Sequence, residues 1–149
     1  MAEFKSLVNQ TLNDNRGWSR LGVSFNEVDS GGSFTLVLSE ASQVPSFNYD
    51  VCSDYWSCQI GRYVIINQDR WFGASDAWNQ TGGSLRDYQH MVVNHETGHW
   101  LGHGHDNSGC YGVVGQAAPV MQQQSMDLRE CVFNPWPLNS EIWSSKLGI

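Results

Sequence analysis

The sequence predicts an α+β fold, with two helices packed on one small twisted mixed sheet and a short C-terminal helix closing the chain. Residues 2–13 and 84–101 carry apolar side chains at helical spacing, and segments that alternate in polarity or are rich in β-branched residues lie between them. The chain has 149 residues, 40% of them hydrophobic, which suits one core and is short for two. We therefore expect a single domain over residues 1–149, with an upper part of about 1–102 and a lower part of about 103–149.

The first helix precedes three predicted strands. Residues 2–13 form an amphipathic helix through apolar positions spaced three and four apart. These positions are Phe4, Leu7, Val8 and Leu12. Residues 23–28 (VSFNEV) and 33–40 (SFTLVLSE) alternate in polarity, and the turn signal DSGG between them predicts a β-hairpin. Residues 61–68 (GRYVIINQ) are rich in β-branched side chains and predict a third strand.

Loops and a closing helix account for most of the remaining chain. Residues 41–50 and 71–83 are rich in turn-forming residues and predict loops at the surface. The chain after residue 101 also has a loop composition, up to about residue 138. The segment PLNSEIWSSKLG then predicts a short C-terminal helix capped at Asn139 or Ser140.

The second long helix is predicted to begin after Ser84, an N-cap residue with Asp87 three positions later as an acidic variant of the capping box. One face of this helix carries apolar residues and then histidines at steps of three and four. They are Leu85, Tyr88, Val92, His95 and His99. Because the histidines continue the apolar stripe, they are expected to point into the protein.

The charge distribution excludes two classes of partner. Eight basic and fifteen acidic side chains give a formal net charge of −7, and no run of Lys or Arg offers a nucleic-acid or acidic-membrane surface. No stretch approaches the 18 apolar residues that a membrane span needs. We expect a monomer whose partner is a peptide or protein.

Four cysteines occur, and none belongs to a C-x-x-C pair. Four cysteines allow three pairings, of which sequence neighbours favour Cys52–Cys58 and Cys110–Cys131. The spacings do not resemble those of a cysteine-ligated zinc site, which is the alternative. Disulfides indicate an oxidising compartment, so we expect a secreted or cell-surface protein. The N-terminal MAEFKSLVNQ lacks the pattern of a signal peptide, so none is expected within this chain.

Four of the five histidines lie in VVNHETGHWLGHGHD, residues 92–106. His95 and His99, one helical turn apart, can place two imidazole nitrogens roughly 2.0–2.1 Å from one zinc ion. Glu96 lies off that axis, where it can reach a water on the metal without ligating the metal. Zinc lowers the pKa of such a water to roughly 7, and Glu96 is then placed to act as the general base.

A catalytic zinc takes a third protein ligand and keeps one position open. The candidates are His103, His105 and Asp106. A glycine just past the last periodic residue is the usual left-handed helix stop, so Gly102 should turn the chain back beneath the metal. After that turn His105 reaches the ion and His103 points elsewhere, which makes His105 the expected third ligand.

The stretch from His95 to His105 matches the metzincin zinc signature H-E-x-x-H-x-x-G-x-x-H at every fixed position, so the chain resembles the metzincin zinc endopeptidases. The wider pattern, including APVMQQQ and NPWP, resembles metzincin-like domains of secreted or surface-anchored actinobacterial proteins. Snapalysin, which uses an aspartate as third ligand, is a more distant likeness and keeps Asp106 as an alternative.

The resemblance implies a zinc ion in a cleft between the upper and lower parts, and a methionine in a tight turn beneath it. Met121 is the expected methionine, with Met126 the poorer candidate. Several metzincins carry a tyrosine two residues after that methionine; here the position is Gln123.

The expected function is hydrolysis of peptide bonds by a zinc-activated water with Glu96 as general base. An extended substrate would pair with an edge strand, either GRYVIINQ or its neighbour. Two alternatives remain, a binding or adhesion module with a structural or inactive zinc site and an amidase acting on cell-wall peptides. A structural site would need a fourth protein ligand, such as His103 or Asp106, and would leave Glu96 without a role.

Overall fold

The structure, a computed structural model, describes all 149 residues and contains one three-stranded sheet. Its strands are β1 (Thr35–Ser39), β2 (Cys58–Ile60) and β3 (Tyr63–Asn67), in the spatial order β1-β3-β2. β1 runs parallel to β3, and β2 runs antiparallel to it. The predicted α+β class with a small mixed sheet is confirmed.

The central strand β3 is covered on both faces. Val64, Ile65 and Ile66 are all fully buried, so the strand lacks the polar alternation of a sheet with one wet face. Val64 and Ile66 join the main core, whereas Ile65 joins a smaller core containing Val44. Val44 lies in a 3₁₀ helix, Ala41–Phe47, where a loop had been predicted.

Both long helices are confirmed. α1 (Ala2–Asn13) packs against the 16-residue helix formed by Leu85–Trp100, and both contribute to the main core. The second of these helices begins as predicted, because the Ser84 hydroxyl accepts a 3.0 Å hydrogen bond from the backbone N–H of Asp87. This bond pairs one of the N–H groups that a helix start leaves without a backbone acceptor.

The predicted β-hairpin is wrong. β1 pairs with β3 in parallel, and residues 23–28 form no strand. The backbone of Phe25 instead pairs with the side chain of Asn13, through hydrogen bonds of 2.8 Å and 2.9 Å. This contact holds the segment beside α1, so the DSGG turn redirects the chain without closing a hairpin.

The surface loop predicted at residues 71–83 is also wrong, because it contains parts of two short helices. They are α2 (Gln68–Gly73) and α3 (Asp76–Gln80), and the 16-residue helix that follows is α4. The side chains of Asn67 and Ser75 cap α2 and α3. Each short helix buries one tryptophan, Trp71 in α2 and Trp78 in α3, and this burial outweighs the loop-like composition.

The predicted C-terminal helix is reduced to a single 3₁₀ turn, Asn139–Glu141. The buried Glu141 carboxylate accepts hydrogen bonds from the backbone N–H groups of Val120 and Met121, which lie beside it in space. Beyond it, Ser144 and Ile149 exchange two backbone hydrogen bonds. These contacts fix the last residues in a turn conformation that a continuing helix would disrupt.

Both predicted disulfides are present, Cys52–Cys58 and Cys110–Cys131. The first lies in the smaller core beside β2, and the second forms a separate buried cluster with Ala118. None of the helices is both long and apolar enough to cross a membrane.

The two disulfides should differ in their effect on stability because they close loops of different length, with sequence separations of 21 and 6. Replacing both Cys110 and Cys131 by alanine should lower the free energy of unfolding by about 3 kcal/mol, and replacing Cys52 and Cys58 by about 2 kcal/mol. Denaturant unfolding of the two double variants measures both values. A larger loss from the shorter loop would contradict the loop-entropy account.

Candidate metal centre

The metal centre is built where α4 ends. His95 and His99 lie on its last turns, and the helix stops at Trp100. Gly102 then adopts a φ of +110°, and the N–H of His103 donates a 2.9 Å hydrogen bond back to the carbonyl of Gly98. The chain therefore reverses at the glycine where the sequence predicts a stop, and the reversal returns His105 to the helix end.

His95, His99 and His105 each offer one ring nitrogen, and these three atoms lie within 4.8 Å of one another. The Nε2 atoms of His99 and His105 are 3.1 Å apart. Ligand nitrogens around a tetrahedral zinc are separated by about 3.3 Å. The three histidines are thus close enough to hold one metal ion.

Two backbone carbonyls orient the rings. His95 Nδ1 lies 2.8 Å from the carbonyl oxygen of Val120, and His99 Nδ1 lies 2.8 Å from that of His103. A carbonyl can only accept, so each Nδ1 carries the proton and each Nε2 keeps its lone pair. Carbonyl or carboxylate partners of this kind fix the tautomer and ring orientation of metal-binding histidines.

The electrostatics of the site favour neutral imidazoles. Burial, together with the charge of His99, lowers the pKa of His95 to about 3. Burial also lowers the pKa values of His99 and His105. At neutral pH all three rings are therefore unprotonated at one nitrogen, which is the form that binds a metal.

The two alternative third ligands are engaged elsewhere. The His103 ring stacks on Trp143 at 3.7 Å between centroids and contacts Trp18 at 5.1 Å, and its Nε2 lies 2.8 Å from the Trp143 carbonyl oxygen. The Asp106 carboxylate accepts hydrogen bonds from the N–H and the hydroxyl of Ser108. Neither side chain joins the group of three histidines.

Glu96 lines the same cleft as the three histidines, a cavity of about 410 Å³. Its side chain is buried, and this burial raises its pKa to about 8. The lining of the cleft also includes Cys58 and Gln59 of β2, which is an edge strand. GRYVIINQ, one of the strands expected to serve as the substrate-binding edge, is the central strand. Its neighbours β1 and β2 are both edge strands, and of these β2 lines the cleft.

Met121 lies against α4 directly beside the metal centre. It is buried, and a Cβ atom added at Gly98 would overlap its Sδ atom and come within 3.0 Å of Trp18. Gly98 is therefore the helix position that permits close approach of the Met121 segment. Met126, the alternative methionine, is 45% exposed on the cleft rim.

Several supporting side chains gave no signal in the sequence. The Glu141 carboxylate holds the backbone of Val120 and Met121, although it lies in a segment expected to be helical. Asn107 and Gln123 form a reciprocal pair, with hydrogen bonds of 2.7 Å and 3.0 Å. These partners are separated by at least 16 residues, so no local pattern reveals them.

A family model described as a protein of unknown function, DUF3152, matches residues 1–135. The chain belongs to the DUF3152 family. The match covers both disulfides, the three histidines, Glu96 and Met121. No curated protein and no solved structure matches the chain.

This DUF3152 protein should bind one metal ion per chain through His95, His99 and His105, and Zn²⁺ is a suitable probe. Loss of a group that only hydrogen-bonds to a metal ligand weakens metal binding by roughly 10–100-fold. His105→Ala removes a ligand itself, so it should weaken Zn²⁺ binding by more than that. His90→Ala removes a histidine that instead contacts Thr11 and Trp136, so it should leave binding unchanged. Titration against a competing chelator measures both, and full affinity in His105→Ala would show that the ligand set is wrong.

Gly98→Ala should destabilise the protein by about 1–3 kcal/mol, because the added methyl overlaps Met121. Helix propensity alone predicts the opposite sign, a gain of about 1 kcal/mol. Gly104→Ala is the control, since its Cβ would meet nothing within 4 Å. Denaturant unfolding of both variants tests the packing, and a Gly98→Ala protein as stable as the parent would exclude it.

Proposed function

We propose that the protein is a zinc-dependent endopeptidase of the metzincin type, in which Glu96 is the general base. The observation that carries the proposal is the convergence of three neutral imidazoles beside a buried carboxylate in an open cleft. Three protein ligands and an open position are typical of catalytic rather than structural zinc sites. The signature from His95 to His105 supports the same assignment.

The donor set fits zinc. Its three nitrogen donors are neutral, and carbonyl partners hold two of the rings, those of His95 and His99. The 3.1 Å separation of the His99 and His105 nitrogens suits tetrahedral coordination. When bound, zinc acts as a Lewis acid that activates water and polarises a substrate carbonyl.

Glu96 performs the proton transfers in this proposal. Its carboxylate lies in the cleft without a hydrogen bond from any other group of the chain, so it is free to accept a proton from the attacking water. It then delivers that proton to the amine nitrogen that leaves as the peptide bond breaks. Burial alone favours the protonated form of Glu96. A cation held by the three neighbouring histidines would favour the ionised form, which is the form that accepts the proton.

Two further features of the cleft suit a peptide substrate. The free edge of β2 can pair with an extended main chain, because its other edge is used by β3. Gln123 lines the cleft, and its amide oxygen accepts the hydrogen bond from Asn107. That bond directs the amide nitrogen of Gln123 to donate to the substrate, where a carbonyl oxygen gains negative charge during attack.

The two disulfides support a secreted or cell-surface location for this peptidase. Disulfides form and persist in oxidising compartments and are rare in the cytosol. A protein or peptide outside the cell is then the substrate.

Glu96→Gln should keep the zinc ion and reduce turnover by about 10²–10⁴-fold, because an amide cannot accept the proton. Glu27→Gln is the matched control, since it makes the same change in an exposed residue paired only with Lys5. Cleavage of casein and of a quenched peptide library should be measured for both variants and for the chelated parent, with zinc content determined for each sample.

Equal turnover by the parent and a zinc-loaded Glu96→Gln protein would exclude Glu96 as the base. If the zinc-loaded parent cleaved nothing across a broad library, the protein would not be an endopeptidase, and a binding module would become the better hypothesis.

A further inference from the structure

The cleft continues along α4, away from the three histidines, to Tyr88 and Ser125. Tyr88 precedes His95 by two helical turns, so both side chains project from the same face of the helix, about 10 Å apart along its axis. Between them, Met91 and Val92 give the cleft an apolar wall. This remote end is within reach of a bound substrate, since 10 Å corresponds to about three residues of extended chain.

The remote end carries a hydrogen-bond donor that the protein does not use. The Ser125 hydroxyl and the Tyr88 phenol are 3.0 Å apart, and this is the one side-chain hydrogen bond that either forms. Each hydroxyl has a single hydrogen, so one of them donates to the other and the second hydrogen has no acceptor in the protein. Burial raises the pKa of Tyr88 to about 12, so the phenol keeps its hydrogen at neutral pH.

Arg70 does not line the cleft itself, but it adds a positive charge without a salt-bridge partner beside the cleft wall. It lies on α2 with its guanidinium 4.1 Å from the ring centroid of Tyr55, and Tyr55 contacts Trp56 on the cleft wall. Neither salt bridge of the structure involves Arg70, and its Nε is buried without a hydrogen-bond partner. The charge of Arg70 acts to lower the pKa of the Tyr88 phenol, against the larger effect of burial.

We propose that Tyr88, Ser125 and Arg70 form a subsite for a carboxylate of the substrate, so that the peptidase selects acidic peptides. A carboxylate would accept the free hydroxyl hydrogen and would supply the counter-charge that Arg70 lacks. The apolar wall suits the aliphatic part of a glutamate side chain. The C-terminal carboxylate of a peptide offers the same chemistry, so the experiment must separate the two sources.

The proposal rests on the peptidase function, and binding is measured separately from cleavage so that each can fail alone. Fluorescent peptides with a glutamate at successive positions, and matched glutamine peptides, are titrated into the zinc-loaded protein by fluorescence anisotropy. Each peptide is made with an amidated and with a free C terminus. A glutamate at the favoured position should tighten binding by about 10–100-fold over glutamine.

Arg70→Gln should abolish this preference while binding of the glutamine peptides stays unchanged. Tyr88→Phe, which keeps the buried ring, should weaken the same preference and serves if Arg70→Gln fails to fold. Arg86→Gln is the matched control, because it removes an equal charge from an exposed position on α4. The cleavage rates of the same peptides should follow the binding preference.

The outcomes separate the two hypotheses. A preference that depends on the free C terminus would assign the subsite to the chain end, and one that survives amidation would assign it to the side chain. Equal binding of glutamate and glutamine peptides with either terminus, a preference unaffected by Arg70→Gln, or no peptide binding would overturn the proposal. Selective binding without cleavage by the zinc-loaded parent would instead overturn the peptidase function and leave the carboxylate subsite standing.

Discussion

The close contact between Gly98 of α4 and Met121 is the constraint on which the metal centre depends. Because Gly98 has no side chain, the Met121 segment can lie directly against the helix, where the Val120 carbonyl meets Nδ1 of His95. The carbonyl of Met121 then accepts the N–H of Asp106, next to His105. This one packing contact thus supplies His95 with its hydrogen-bond acceptor and holds the loop that carries His105.

A second constraint is the supply of hydrogen bonds to a buried polar site. An unsatisfied buried polar group costs roughly 1–3 kcal/mol, so ring nitrogens and loop amides must be paired. The carbonyls of Val120 and His103 pair with two of the histidine rings, and the Glu141 carboxylate pairs with the backbone N–H groups of Val120 and Met121. The loop after α4 is therefore held in one arrangement without a helix or strand of its own.

The sheet positions this centre beside a usable edge. β3 is buried on both faces and forms the rigid centre, α4 packs on one face, and β2 lies at the edge that borders the cleft. The Cys52–Cys58 disulfide belongs to the smaller core and links the segment before β2 to the first residue of that strand. A substrate main chain along β2 would then lie between this fixed rim and the histidines of α4.

The sequence by itself determined α1, α4, the glycine stop at Gly102, both disulfides and the convergence of the three histidines. These depend on spacing within one segment or on pairing between neighbours, and the physical rules for both are local. Tertiary structure decided the rest, namely the parallel pairing of β1 with β3, the two short helices that bury Trp71 and Trp78, and the single turn at Asn139–Glu141. It also decided most of the hydrogen-bond partners that support the cleft. Apart from the His103 carbonyl, which meets His99 four residues away, these partners meet across 16 residues or more, and their pairing depends on burial that only the assembled fold provides.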